Sequence, residues 1–111
     1  MTVRELVAEM QREIRDEDLS PRRACELLVR LSALTGNCRE AIRVADHEVT
    51  RHLIAYLDSG EPATKAKIRV AGTPEYQHLQ EAKDTLSLCE EMIKSLKYLI
   101  RVAGQEMELT R

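Results

Sequence analysis

The stretch "LSALTGNCREA", residues 31–41, decides how this chain folds, because it contains a signal that would normally divide a helix. Gly36 followed by Asn37 usually marks a helix end. The apolar residues on both sides nevertheless keep one register, with alternating steps of four and three residues and no phase shift across Gly36. The pattern predicts one continuous helix over about 21–58, in which Gly36 costs about 1 kcal/mol relative to Ala without ending the helix. The residues of this register are Ala24, Leu28, Leu31, Thr35, Cys38, Ile42, Ala45, Val49, His52 and Tyr56.

The chain before this helix predicts a shorter N-terminal helix over about 2–16. Thr2 and Glu5 have the spacing of a capping box, and apolar residues recur after them at helical intervals. Ser20 is a suitable N-cap for the long helix, and Pro21 is suited to its first position, where the missing N–H costs nothing. The long helix is therefore expected to begin at residue 21.

The chain after the long helix predicts a connector and a second long helix. Gly60 is a suitable left-handed C-cap. A short helix over about 62–71 is one interpretation of the connector, and passage through residue 72 with only a kink is the alternative. The last helix, over about 74–108, has a heptad pattern. Its apolar positions are Leu79, Ala82, Leu86, Cys89, Ile93, Leu96, Ile100, Ala103 and Met107.

Composition sets the fold class. The 111 residues suit a single domain over 1–111, and 32% are charged but only 3% aromatic, with no Trp or Phe, which is typical of long helices and predicts an all-α fold. The formal net charge of −2 argues against a strongly basic nucleic-acid-binding surface. The N-terminus lacks a signal-peptide pattern and no apolar run is long enough to span a membrane, so a cytoplasmic location without membrane association is expected.

Two long helices joined by a short connector are expected to form an antiparallel hairpin with coiled-coil-like packing. A hairpin buries one stripe of apolar residues on each helix. In this chain a second set of apolar residues lies beside each stripe. A second copy of the chain would cover that surplus and give a homodimeric helical bundle, whereas in the alternative the N-terminal helix covers it all in a monomer. The candidate self-association residues are Leu27, Leu34, Leu53, Ile54, Leu57, Leu88, Met92 and Leu99.

The histidines and cysteines do not predict a catalytic, metal or cofactor site. In "ADHEVTRH", residues 45–52, His47 is followed by Arg51 at i+4, where a zinc-protease helix needs its second histidine. His52 lies at i+5, about 140° away around the helix, so the two rings cannot share one ion. We expect His47 on the surface, His52 at the edge of the core, and the three cysteines reduced and buried.

Two groups of basic residues are candidates for phosphate contacts. They are Arg22 and Arg23 at the start of the long helix, and Lys65, Lys67 and Arg69 in the connector. Such clusters would make nucleic-acid binding dependent on salt. Only three tyrosines are present as aromatic stacking partners, which makes this interpretation the weaker one.

The segments "EAIRVADHEVTRHLIAYLDSGEPATKAKIRVAGTPEYQHLQEAKDTL", residues 40–86, and "LKYLIRVAGQEMEL", residues 96–109, resemble small, largely uncharacterised helical proteins encoded in bacteriophage and prophage early regions. The resemblance covers roughly residues 27–109. It implies a helical, coiled-coil fold and a phage-like origin. It brings no activity, and it adds only some weight to an accessory role in DNA metabolism. The matching positions are Tyr56, Leu57, Gly60, Lys65, Ala66, Leu96, Ile100 and Met107.

These patterns give three functional hypotheses. The first is a non-enzymatic, self-associating helical module that presents helix faces to a protein partner. The second is an accessory factor in phage-type DNA metabolism that binds nucleic acid through the basic connector. The third, and the least supported, is a metal-binding or enzymatic protein.

Overall fold

The computed structural model describes residues 2–16 and 19–109, and within these ranges the chain is helical with no strand. The all-α prediction is therefore confirmed. The four helices are α1 (Val3–Asp16), α2 (Pro21–Asp58), α3 (Ala63–Ala71) and α4 (Pro74–Leu109).

The α2 helix runs without a break through Gly36, as the unbroken register predicts. A Cβ added at Gly36 would meet no atom within 4 Å, so the glycine is not required by close packing. The neighbouring hydroxyl groups donate to carbonyls of the same helix, Ser32 Oγ to Leu28 O at 2.8 Å and Thr35 Oγ1 to Ser32 O at 2.6 Å. Both hydroxyl groups are thus paired within the helix itself.

Three helices begin with a side-chain cap. The hydroxyl groups of Thr2, Ser20 and Thr73 accept hydrogen bonds from the N–H groups three residues later, at 3.2, 3.1 and 3.3 Å. Each bond satisfies one of the N–H groups that a helix leaves unpaired at its start. The predicted starts of α1, α2 and α4 thus have a local physical cause.

The end of α2 and the separation of α3 from α4 are also local. Gly60 has φ +95°, and the N–H groups of Gly60 and Glu61 donate to the carbonyls of Leu57 and Tyr56, which is a Schellman motif. At the next junction α3 ends at Ala71 and α4 begins at Pro74, so residues 63–71 form a separate helix.

The chain is divided into two compact units. The first contains residues 1–37 and 85–111, and the second contains residues 38–84. The first unit therefore combines α1 with the beginning of α2 and the later part of α4, whereas the second combines the rest of α2 with α3 and the first turns of α4. The expectation of a single domain over 1–111 stays a prediction.

The core of the first unit differs from the predicted stripe on α2. Leu27 is fully buried and Leu34 is 9% exposed, whereas Leu28 and Thr35, the predicted positions, are half-buried. In a three-helix unit each helix has two neighbours and buries a wider face than a single coiled-coil seam. The buried apolar residues of this unit are Val7, Met10, Ala24, Leu27, Leu31, Leu34, Cys89, Met92 and Leu96. The side chain of Met107, another predicted core position, lies outside the described residues.

The second unit has a smaller core. Its buried apolar residues are Cys38, Ala66, Val70 and Leu79. His52, near the end of α2, contacts Glu75 in the first turn of α4, with 3.5 Å between Nε2 and Oε2. This contact between the end of one long helix and the beginning of the other fits the predicted hairpin.

Candidate interaction surfaces

An open groove lies between α1 and α4 in the first unit and has a volume of about 230 Å³. Its apolar lining comes from Ile14, Leu88 and Met92. Met92 is 5% exposed, while Ile14 and Leu88 are half-buried, so part of this apolar surface faces solvent. We call this feature the α1–α4 groove. Its full lining is Gln11, Ile14, Arg15, Leu88, Glu91, Met92 and Ser95.

The rim of the α1–α4 groove carries opposite charges on its two helices. Arg15 is exposed on α1 and makes no ion pair with any residue in the described ranges. Glu91 on α4 lies 3.5 Å from Lys94 Nζ, with both side chains more than two-thirds exposed, and such a pair contributes little. The hydroxyl of Ser95 donates to the backbone carbonyl of Glu91 at 3.1 Å. Ser95 therefore lines the groove with a small side chain whose hydroxyl is already hydrogen-bonded.

The structure separates the predicted self-association residues into three groups. The first group belongs to the core of the first unit and consists of Leu27, Leu34 and Met92. A partner cannot reach Leu27 or Leu34 without unfolding this unit. Met92 is accessible only as part of the groove lining. All three lie in the unit that also contains α1. Leu88 lies in the groove. The remaining positions are more exposed: Leu53 is half-buried, and Ile54, Leu57 and Leu99 are 52%, 41% and 42% exposed.

Sequence reasoning missed four other exposed apolar side chains, namely Val29, Val44, Ile68 and Tyr98. Ile68 is 69% exposed because it lies on the opposite side of α3 from Ala66 and Val70, which are buried. Successive residues of a helix are about 100° apart around its axis, so a separate helix α3 places Ile68 opposite Ala66 and Val70. Val29 follows Leu28 directly and so points away from the predicted seam.

A chain of polar contacts runs through the second unit. The ring centroids of His52 and Tyr56 are 6.4 Å apart, and the Arg69 guanidinium carbon lies 4.4 Å from the centroid of Tyr56. Arg69 also pairs with Glu61, whose Oε2 is buried with no hydrogen-bond partner among the described residues. These contacts connect α3 and its preceding loop to the last turns of α2.

The basic candidates for phosphate contact have different surroundings. Arg23 is held by Glu13 and Glu26, and Arg69 is held by Tyr56 and Glu61. Arg22 is 91% exposed and lies 3.6 Å from Glu26. Lys65 and Lys67 are exposed and make no ion pair within the described part of the chain. The connector thus offers two lysines, rather than three cations, without an internal partner.

The histidines occupy the expected positions, whereas one cysteine does not. His47 is exposed, His52 lies against Tyr56 and Glu75, and the residue between them at i+4, Arg51, pairs with Glu48. No group of three or more metal-ligating side chains occurs among the described residues. Cys38 and Cys89 are buried as predicted, but Cys25 is exposed, because it lies one residue beyond the buried Ala24 and points away from the core.

Comparisons with protein-family models, with curated proteins and with solved structures found no match to this chain. Among the described helices, none is long and apolar enough to cross a membrane.

Proposed function

We propose that this chain is a non-enzymatic helical module that self-associates and presents helix faces to a protein partner. The observation that carries the proposal is the α1–α4 groove, an open apolar groove between two helices. It is lined by Leu88 and Met92, two of the residues that the sequence pattern assigned to self-association.

The chemistry of the groove suits a protein helix. Grooves between two helices commonly bind a third helix through apolar residues spaced three or four apart. Burial of apolar surface contributes about 25 cal/mol per Å², and the half-buried Ile14 and Leu88 supply such surface. The polar residues at the rim would orient the bound helix, as in other protein interfaces with an apolar centre.

Two of the three thiols are too buried for nucleophilic catalysis, whereas that of Cys25 is exposed. Cys38 and Cys89 are 3% and 0% exposed, and a cysteine nucleophile must reach its substrate as an accessible thiolate. The carboxylates of Glu90 and Glu91 lie on an exposed face, where such groups usually serve solubility and ion pairing.

A role as an accessory factor in phage-type DNA metabolism is the second candidate. Lys65 and Lys67 on α3 favour it, because both are exposed and neither makes an ion pair within the described ranges. It ranks second because Arg23 and Arg69 are already held by carboxylates, so phosphate would have to compete with contacts inside the chain.

Light scattering tests the self-association directly. We expect the wild-type chain to have a mass above that of the 12.7 kDa monomer at tens of micromolar. Leu88→Glu places a charge in the groove and should reduce the mass to that of the monomer. Val29→Glu is the matched control, because Val29 is an exposed apolar residue of the same unit outside the groove. A monomeric wild-type chain, or equal effects of the two variants, would contradict the proposal.

A further inference from the structure

The α1–α4 groove has a distribution of charge that is complementary to itself. Arg15 lies on its α1 side and Glu91 on its α4 side. In a dimer with two-fold symmetry the same patch lies on both sides of the interface, so any residue i that contacts residue j is matched by j contacting i. A basic residue on one side and an acidic residue on the other can therefore form two equivalent ion pairs across the axis.

We propose that the occupant of the α1–α4 groove is the same groove of a second copy, related by a two-fold axis. In this arrangement Arg15 of each copy pairs with Glu91 of the other. This inference rests on the proposed self-association and adds the identity of the contacting surfaces.

The charged groups on the rim are suited to this pairing. Arg15 has no ion-pair partner in the described ranges, and the contact of Glu91 with Lys94 is a surface pair of low value. Formation of the cross-pairs therefore breaks no strong contact inside either copy.

A charge-swap experiment on the full chain tests the arrangement. Arg15→Glu places a new carboxylate opposite Glu91 of the second copy, and Glu91→Arg places a new guanidinium opposite Arg15 of the second copy. Each single variant should weaken self-association by about tenfold or more, because like charges face each other across an interface. The double variant Arg15→Glu/Glu91→Arg restores opposite charges and should recover most of the wild-type affinity.

An equimolar mixture of the two single variants gives the sharpest result. In a heterodimer the new carboxylate of one chain faces the new guanidinium of the other, and the unchanged Glu91 of the first chain faces the unchanged Arg15 of the second. Both cross-pairs are then attractive. We expect native mass spectrometry to show the heterodimer well above either homodimer. Circular dichroism should show unchanged helicity for both variants, since both substituted residues are exposed.

The outcomes separate this inference from the proposed function. A monomeric wild-type chain would overturn both. A wild-type dimer that persists in Arg15→Glu, or single variants whose mixture gives no heterodimer, would overturn the two-fold groove and leave self-association standing. In that case the groove is available to a different protein.

Discussion

Glu13 and Arg23 join α1 to α2 through two parallel hydrogen bonds, 2.5 Å from Arg23 Nε to Glu13 Oε1 and 2.9 Å from the terminal nitrogen to Oε2. The hydrogen bonds from Arg23, with smaller electrostatic contributions from Arg23 and Arg30, lower the pKa of Glu13 below its ordinary value. The same contacts, with a hydrogen bond to Glu26, raise the pKa of Arg23. The fork geometry explains why an arginine rather than a lysine suits this position.

The Glu13–Arg23 pair predicts a loss of stability in acid. Because the folded chain lowers the pKa of Glu13, the carboxylate stabilises the fold above the ordinary glutamate pKa of about 4.3, and the contribution disappears as the pH falls through the lower folded value. Glu13→Gln should therefore be less stable than wild type at pH 7, and the difference should shrink as the pH falls below the ordinary glutamate pKa. Urea unfolding followed by circular dichroism measures the difference.

Glu40→Gln is the control for this prediction. Glu40 also has a lowered pKa because of Arg43, but the pair lies on one exposed helix face, with side chains 61% and 71% exposed. Its effect on the free energy of unfolding should be smaller than that of Glu13→Gln. An equal effect would mean that the ion pair between α1 and α2 contributes no more to the free energy of unfolding than a surface pair within one helix.

Leu27 and Leu57 test where the core lies. Both were predicted as self-association residues, but Leu27 is fully buried and Leu57 is 41% exposed. Leu27→Ala should lower the free energy of unfolding by about 2–5 kcal/mol. Leu57→Ala makes the same chemical change on the surface and should lower it by less than about 1 kcal/mol. Thermal unfolding at one protein concentration compares them, and a loss of less than about 1 kcal/mol for Leu27→Ala would show that Leu27 is not a core residue.

Gly36 and Gly60 should respond oppositely to alanine. At Gly36 the backbone is helical and a Cβ meets open space, so Gly36→Ala should raise the free energy of unfolding by about 0.4–1 kcal/mol. At Gly60 the φ of +95° disfavours any side chain, so Gly60→Ala should lower it by about 1–2 kcal/mol. Denaturant unfolding of the two variants measures both. A destabilising Gly36→Ala would contradict the continuous α2 helix.

DNA binding separates the first functional candidate from the second. We expect no salt-dependent binding of single-stranded or duplex DNA at low salt, because the net charge is −2 and three of the five candidate cations lie within ion-pair distance of a carboxylate. Fluorescence anisotropy with a labelled oligonucleotide measures this. Binding that is lost in Lys65→Glu/Lys67→Glu but kept in Lys83→Glu/Lys97→Glu, a matched pair of exposed lysines on α4, would favour the second candidate.

Sequence reasoning located part of the candidate site. The heptad surplus pointed to Leu88 and Met92, and both line the groove. It missed Ile14, Arg15 and Glu91 as groove residues, because nothing in the local pattern indicates that α1 lies beside this part of α4. Similarly, the phase of α2 did not show whether Leu27 or Leu28 would be buried, since the two residues are adjacent and the choice depends on the neighbouring helices.

The sequence by itself determined the helices and their ends. Helical hydrogen bonds, the hydroxyl caps at Thr2, Ser20 and Thr73, and the left-handed Gly60 all act within five residues, so the local sequence is sufficient to specify them. The tertiary structure decided which apolar stripe became core and which residues from distant segments meet, as in the contact of His52 with Glu75. Those outcomes depend on how many helices surround each face, and burial on two sides widens the apolar stripe that a helix can hide.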